Sequence, residues 1–295
     1  MKSSILFFIA IVLPFPATLF SGEGPKRPPI VGVAHIALET NDMLAAEAFY
    51  GKGLGFAELT MGRFKVNDHQ YIQVWPNLES ANQDRLDHIA FETTNVKQLH
   101  AYLHAHKVPV PGLKKDADGD LSFMVADPDH HNVEFVQYVK GSLQSRNLGK
   151  LMPATRVSER IIHVGVTVAD RAAADRFYKD ILGFKMTWFG GPTDDTVRWV
   201  DMRVPDGTDW LEYMLGNANP SPKQLGVMHH LALGVPEIQT GFKKVTANGI
   251  KPPDPPKLGR DGKWQLNLYD ANFTRTELME FKPVEKPCCS PFLNP

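Results

Sequence analysis

Four histidines recur at one place in a repeated pattern: His35 in "HIALE", His88 in "HIAFE", His163 in "HVGVT" and His230 in "HLALG". Each opens or interrupts a short β-patterned run, and successive side chains of a strand point to opposite faces. Sorted that way, Ile36 and Leu38, Ile89 and Phe91, Ile162, Val164, Val166 and Val168, and Leu231 and Leu233 take one face. The histidines share the other with Ala37, Ala90, Gly165 and Ala232, two positions on, whose small side chains leave space beside each imidazole. One such histidine reads as a packed, hydrogen-bonded residue. Four at one register read as a ligand set. Later strands supply matching oxygens: Glu134 and Glu277 each follow an aspartate, Asp127 or Asp270, by seven residues, and "DWLEYML" and "YIQVW" carry Glu212 and Gln73. A glutamate between Val133 and Phe135, or between Leu211 and Tyr213, is costly to bury without a partner or a metal. Its alternative is the surface of an edge strand. Imidazole nitrogens with carboxylate oxygens suit a divalent transition ion.

The elements that must position these groups are internally repeated. His35 and His163, Tyr50 and Tyr178, and Phe56 and Phe184 are all 128 residues apart, a constant offset that marks duplication. Runs beginning at His88 and His230 have the same shape: strand, polar turn, and an amphipathic helix of about 10 to 12 residues. Short, turn-punctuated strands follow, with "RFKVNDHQYIQVW" a compressed version in the first module. The expected fold is α+β: four βαβββ modules pairing one-two and three-four into two open, cup-shaped mixed-sheet barrels. Expected boundaries are an N-terminal unit over 30–140, a linker over 141–158, a C-terminal unit over 159–283 and a Pro/Cys tail over 284–295.

At 295 residues, with 32 basic against 33 acidic side chains, the chain carries no charge footprint for nucleic acid or an anionic membrane. The expected partner is a small molecule; the oligomeric state is left open. Residues 1–22 read as a secretory signal peptide, because the apolar run from Ile5 to Phe15 is too short to span a bilayer and Pro14 interrupts it. That predicts an extracytoplasmic protein, periplasmic or secreted, without stable membrane association; the alternative is an uncleaved anchor. Cys288 and Cys289 are adjacent, so no disulfide staples distant segments, and the tail is expected to have little structural role. His229 is expected to pack on the helix side, and His130 and His131 to lie in an exposed turn or at a rim.

The four modules, the "HIAL/HVGV" first strands, the "FY…LGF" helices and the glutamates of the closing strands resemble the vicinal-oxygen-chelate superfamily over about residues 30–283. That superfamily includes glyoxalase I, extradiol dioxygenases and bleomycin and fosfomycin resistance proteins. The resemblance implies that His163, Glu212, His230 and Glu277 surround one divalent ion (Fe, Mn, Ni, Zn or Co), with a weaker candidate set of His35, Gln73, His88 and Glu134. A four-ligand site implies glyoxalase-like isomerase or lyase chemistry on a substrate chelated through vicinal oxygens, with Glu277 or Glu212 as the catalytic base. The alternatives are a non-haem Fe(II) extradiol dioxygenase using His163, His230 and Glu277, which would lack the closing histidine and Tyr-x-x-x-Pro segment of that type, and a non-catalytic binding or resistance-type protein.

Overall fold

The computed structural model describes residues 24–216 and 219–293; the expected signal peptide lies outside them. The first half contributes β1 (Ile30–Glu39), β2 (Ala57–Thr60), β3 (Arg63–Lys65), β4 (Tyr71–Trp75), β5 (Leu86–Thr93), β6 (Lys114–Lys115), β7 (Leu121–Ala126) and β8 (Asn132–Gln137). The second contributes β9 (Ile161–Val168), β10 (Lys185–Gly190), β11 (Trp199–Arg203), β12 (Trp210–Leu215), β13 (His230–Val235), β14 (Lys257–Leu258), β15 (Trp264–Tyr269) and β16 (Arg275–Glu280). The strand orders are the same: β2-β3-β4-β1-β5-β8-β7-β6 and β10-β11-β12-β9-β13-β16-β15-β14. In each sheet the two first strands of the modules run antiparallel at the centre, and each is flanked by a parallel closing strand. That topology brings two histidine strands and two oxygen-bearing strands side by side, as the repeat predicts.

The helices are less uniform than the pattern suggests. Modules two and four have ten-residue helices, α2 (Val96–Ala105) and α4 (Ile238–Ala247), the first capped by the Asn95 side chain on the amide of Gln98. In modules one and three a single α-turn, α1 (Met43–Ala46) or α3 (Arg171–Ala174), capped by Asp42 or Asp170, widens into a π-helical segment over Glu47–Gly53 or Asp175–Ile181. Those segments carry the repeated Phe-Tyr pair. The fully buried Tyr50 donates to Asp270, and Tyr178 donates to Asp127. The repeated aspartate seven residues before each closing-strand glutamate therefore serves the other half of the molecule, and the two halves share one hydrophobic core.

One of the breaks in register falls at equivalent places in the two halves. Ile161 pairs with Leu233 and His163 with Ala232, so Ile162 is a bulged residue; Val33 pairs with Phe91 and His35 with Ala90, so Ala34 is another. Ile162 packs with Ala232 and Met279 rather than with Val164, Val166 and Val168, correcting the alternation expected there. Gln70 spans both irregularities, donating to the carbonyls of Val33 and Ile161 and accepting from the Ile161 amide.

Two peripheral expectations are also corrected. His131 is not a turn ornament: it lies between the halves, bonded to Asp127 and to Thr167, while His130 is exposed with a left-handed backbone (φ 68°). His229 does face away from His230, and its ring connects Thr167 to Asp84 of the first half. The tail is ordered against β10 and the β14–β15 turn, and Cys288 and Cys289 are joined to each other.

Candidate metal centre

In the C-terminal cup the four predicted side chains converge. His163 Nε2 lies 3.0 Å from His230 Nε2, 3.7 Å from Glu277 and 3.9 Å from Glu212, and His230 Nε2 lies 3.1 Å from Glu212. With ligand atoms about 2.1 Å from an ion, neighbouring octahedral positions are about 3.0 Å apart and opposite ones about 4.2 Å. The observed separations fall within that range: His163, His230 and Glu277 offer donor atoms all within 4.8 Å of one another, a set that fits a single divalent ion, and Glu212 lies beside the two histidines outside that close group.

The local sequence explains the convergence. Gly165 lies opposite both His230 and Glu212 in the sheet, and a β-carbon there would sit 2.1 Å from His230 Cε1. The missing side chain is the space the ring occupies. His230 Nδ1 faces the carbonyl of Met228 at 2.8 Å; donating there leaves the lone pair on Nε2, the nitrogen directed at the cluster. The same period of two places Arg275 beside Glu277 and Trp210 beside Glu212, a strand-parity signal present in the sequence for both neighbours. Trp210 packs against His163 with ring centroids 4.9 Å apart. Arg275 donates to His230 Nε2 at 2.8 Å and lies 4.0 Å from Glu212, so it competes with any cation for that lone pair.

Burial sets the electrostatics. His163 and His230 are driven well below the usual histidine range by desolvation, with nearby Arg275 adding to the effect, so both are neutral at neutral pH. Glu277 is pushed up to about 7, by desolvation first and by Glu212 and Asp261 next, against Arg275. Asp201, opposite Glu212 in the sheet, is also raised by burial and by Glu212. The cluster opens into a cavity of about 230 Å³ walled by Trp188, Trp199 and Trp210, with Arg260 and Arg275 at its polar side.

The N-terminal cup builds a tighter triad: His35 Nε2 is 2.8 Å from His88 Nε2 and 3.2 Å from Glu134, and His88 Nε2 is 3.5 Å from Glu134. Gln73 is not free to join them. Its oxygen accepts from Arg63 and its amide nitrogen donates to the carbonyls of Gly62 and Val74. Arg63 also pairs with Asp118 and stacks 4.2 Å over Tyr71, which in turn stacks on His35. Where the C-terminal cup has Asp201 and a cavity, this one has a guanidinium and a phenol ring. Desolvation lowers His35 to about 4, whereas hydrogen bonds to Asp87 and Glu134 overcome burial and raise His88 to about 9. Those two histidines hold the Glu134 pKa well below the usual carboxylate range, against its burial.

The family model described as the glyoxalase/bleomycin resistance protein/dioxygenase superfamily matches residues 32–135 and 160–272. Among curated proteins, none matches this sequence. Solved structures with the same fold include the Mn(II)-bound glyoxalase from Novosphingobium aromaticivorans, 19% identical, TM-score 0.65, over 86% of this chain and 83% of that one. They also include homoprotocatechuate 2,3-dioxygenase from Arthrobacter globiformis, 19% identical, TM-score 0.64, over 86% and 80% of the two chains. A variant of the Brevibacterium fuscum dioxygenase, also 19% identical, matches at TM-score 0.64 over 86% and 72%. With both repeats matched and each carrying a histidine pair and a glutamate at corresponding strand positions, the chain belongs to the glyoxalase/bleomycin resistance protein/dioxygenase superfamily.

Proposed function

We propose that the protein is a metal-dependent lyase or isomerase whose active site is the C-terminal cup. His163, Glu212, His230 and Glu277 hold one divalent transition ion, Fe, Mn, Ni, Zn or Co, and a small substrate enters through the cavity bearing two vicinal oxygens. The observation that supports this reading is the second carboxylate: beside the Glu277 of the close group, 3.7 Å from His163, Glu212 lies 3.1 Å from His230 and 3.9 Å from His163. The bound ion would polarise the chelated oxygens. Glu277, buried at the mouth of the histidine pair, is placed to accept a proton from the substrate carbon and return it to the neighbouring one. Trp188, Trp199 and Trp210 wall the site against water.

A second reading rests on the His163, His230 and Glu277 triad, the donor set of a non-haem Fe(II) dioxygenase. An oxygen electrode separates the two. With metal-loaded protein and a panel of catechols and 2-oxoaldehyde adducts, we expect turnover without oxygen uptake; steady uptake with a catechol replaces the isomerase reading. Protein that takes up no metal returns the chain to the binding class. Residues 1–22 are proposed as an export signal, which N-terminal sequencing of the mature protein tests.

The two cups are expected to titrate differently, because an ion and protons compete for the same groups. In the C-terminal cup the histidines are already neutral, so apparent affinity rises by up to about tenfold per pH unit until Glu277 is ionised near pH 7, then levels. In the N-terminal cup the raised His88 must lose its proton, so affinity keeps climbing toward pH 9. Calorimetric Mn(II) or Zn(II) titrations of His88→Ala and His230→Ala proteins from pH 6 to 9 isolate one cup each. Identical profiles contradict the assignment.

A further inference from the structure

The cup's sheet has two open edges, β10 and β14, and the chain after β16 runs from one to the other. Val284 donates to the carbonyl of Gly262 and Cys288 to that of Arg260, both in the β14–β15 turn. On the other side the Trp188 indole donates to the carbonyl of Cys288, Ser290 Oγ bonds both backbone groups of Phe189, and Leu293 donates to Thr187. Trp188 and Arg260 themselves line the cavity. Cys288 is thus the residue whose peptide groups bind both edges, and its sulfur is bonded to that of Cys289.

We propose that this tail is a thiol-controlled clasp on the C-terminal cup, with Cys288–Cys289 as its switch. Cys289 has φ 68°, a left-handed conformation that a non-glycine residue rarely holds unaided. The ring closed by the two sulfurs restrains that turn, and the turn is what lets Cys288 face both edges at once. Both cysteines are half-buried rather than enclosed, with Arg260 3.8 Å from the Cys289 sulfur, so a reductant can reach the bond. An external dithiol supplies two electrons and two protons: the Cys288–Cys289 bond breaks, two thiols form, and the dithiol becomes its own disulfide. The turn is then free to relax, and the link between the edges loosens.

The first half provides an internal contrast. The chain after β8 likewise spans its cup, with Leu143 donating to Asp118 in the β6–β7 turn and the Gln144 side chain donating to Asp68 in the β3–β4 turn. Lys65, fully buried, donates to the carbonyls of Asn147 and Lys150. That strap has no cysteine and is held by a buried ammonium, so reduction has no purchase on it.

The test is backbone hydrogen exchange on the full chain, purified without reductant, before and after dithiothreitol, with the two-dalton gain verified by mass. The amides of Val284, Cys288 and Leu293 are expected to exchange at least tenfold faster on reduction and acrylamide quenching of tryptophan fluorescence to increase, while the Leu143 amide stays unchanged. The Cys288→Ser, Cys289→Ser double variant is expected to behave as the reduced protein with or without dithiothreitol. Unchanged tail exchange after verified reduction overturns the proposal, as does a double variant that still responds or a chain whose thiols remain free under mild oxidation. Because none of these readouts uses turnover or bound metal, failure here leaves the proposed reaction untouched.

Discussion

Replacing His230 with alanine is expected to remove one equivalent of metal per chain and abolish turnover, with the fold retained. His230 Nε2 lies within 3.1 Å of both His163 and Glu212. A binding free energy of about 10–16 kcal/mol shared by four ligands is about 3 kcal/mol each, more than a hundredfold in affinity. The fold loses less. His230 is neutral and fully buried, so the substitution removes its hydrogen bonds to Met228 and Arg275, worth about 1 kcal/mol each, and leaves a cavity beside Gly165. Elemental analysis of the loaded protein with a thermal melt checks both halves of the expectation. Wild-type stoichiometry in the variant would rule the C-terminal cup out as the metal centre. The same change at His88 should leave turnover intact, because the N-terminal cup is filled by Arg63 and Tyr71 where its counterpart is open.

The histidine strands were legible because two simple regularities coincide in them, the strand period and the module repeat, and both survive in the folded sheets. What the repeat could not convey is which half a repeated residue serves. Asp127 and Asp270 recur at fixed spacing from Glu134 and Glu277, yet each accepts a tyrosine hydroxyl from the opposite half, and that partner is invisible in local pattern. His229 and His131 are the same case, packed edge to face between the halves at 5.0 Å. Bulges at Ala34 and Ile162 escape alternation by definition, since a small or β-branched residue fits either face. Gln73 was in the right strand position, but a neighbouring strand supplies Arg63, and a guanidinium beside an amide oxygen wins that oxygen. The tail is held mainly by backbone and hydroxyl hydrogen bonds, which its Pro- and Cys-rich composition does not reveal.

A single methyl at position 165 is expected to disable the C-terminal centre as thoroughly as loss of a ligand. The β-carbon of alanine at 165 would stand 2.1 Å from His230 Cε1 and 2.3 Å from Nδ1, inside any real contact distance. The obstacle is steric rather than conformational, because Gly165 lies in regular strand paired on both sides. The ring has to turn, and turning breaks the Nδ1 bond to Met228 that aims Nε2 at the other ligands. Overpacking of this kind costs about 1–3 kcal/mol of stability. The displaced imidazole contributes little to metal binding, so affinity should fall by about a hundredfold. The N-terminal half supplies the control. Ala37 stands opposite His88 at the equivalent register, so that cup already tolerates a methyl there. Ala37→Gly should keep its metal affinity and cost only the glycine entropy, about 0.5–1 kcal/mol. Calorimetric titration of both variants, with melting curves, makes the comparison. A Gly165→Ala protein that binds metal like the wild type would mean that the His230 ring is not held where the cluster needs it, and the four-ligand centre would fall with it.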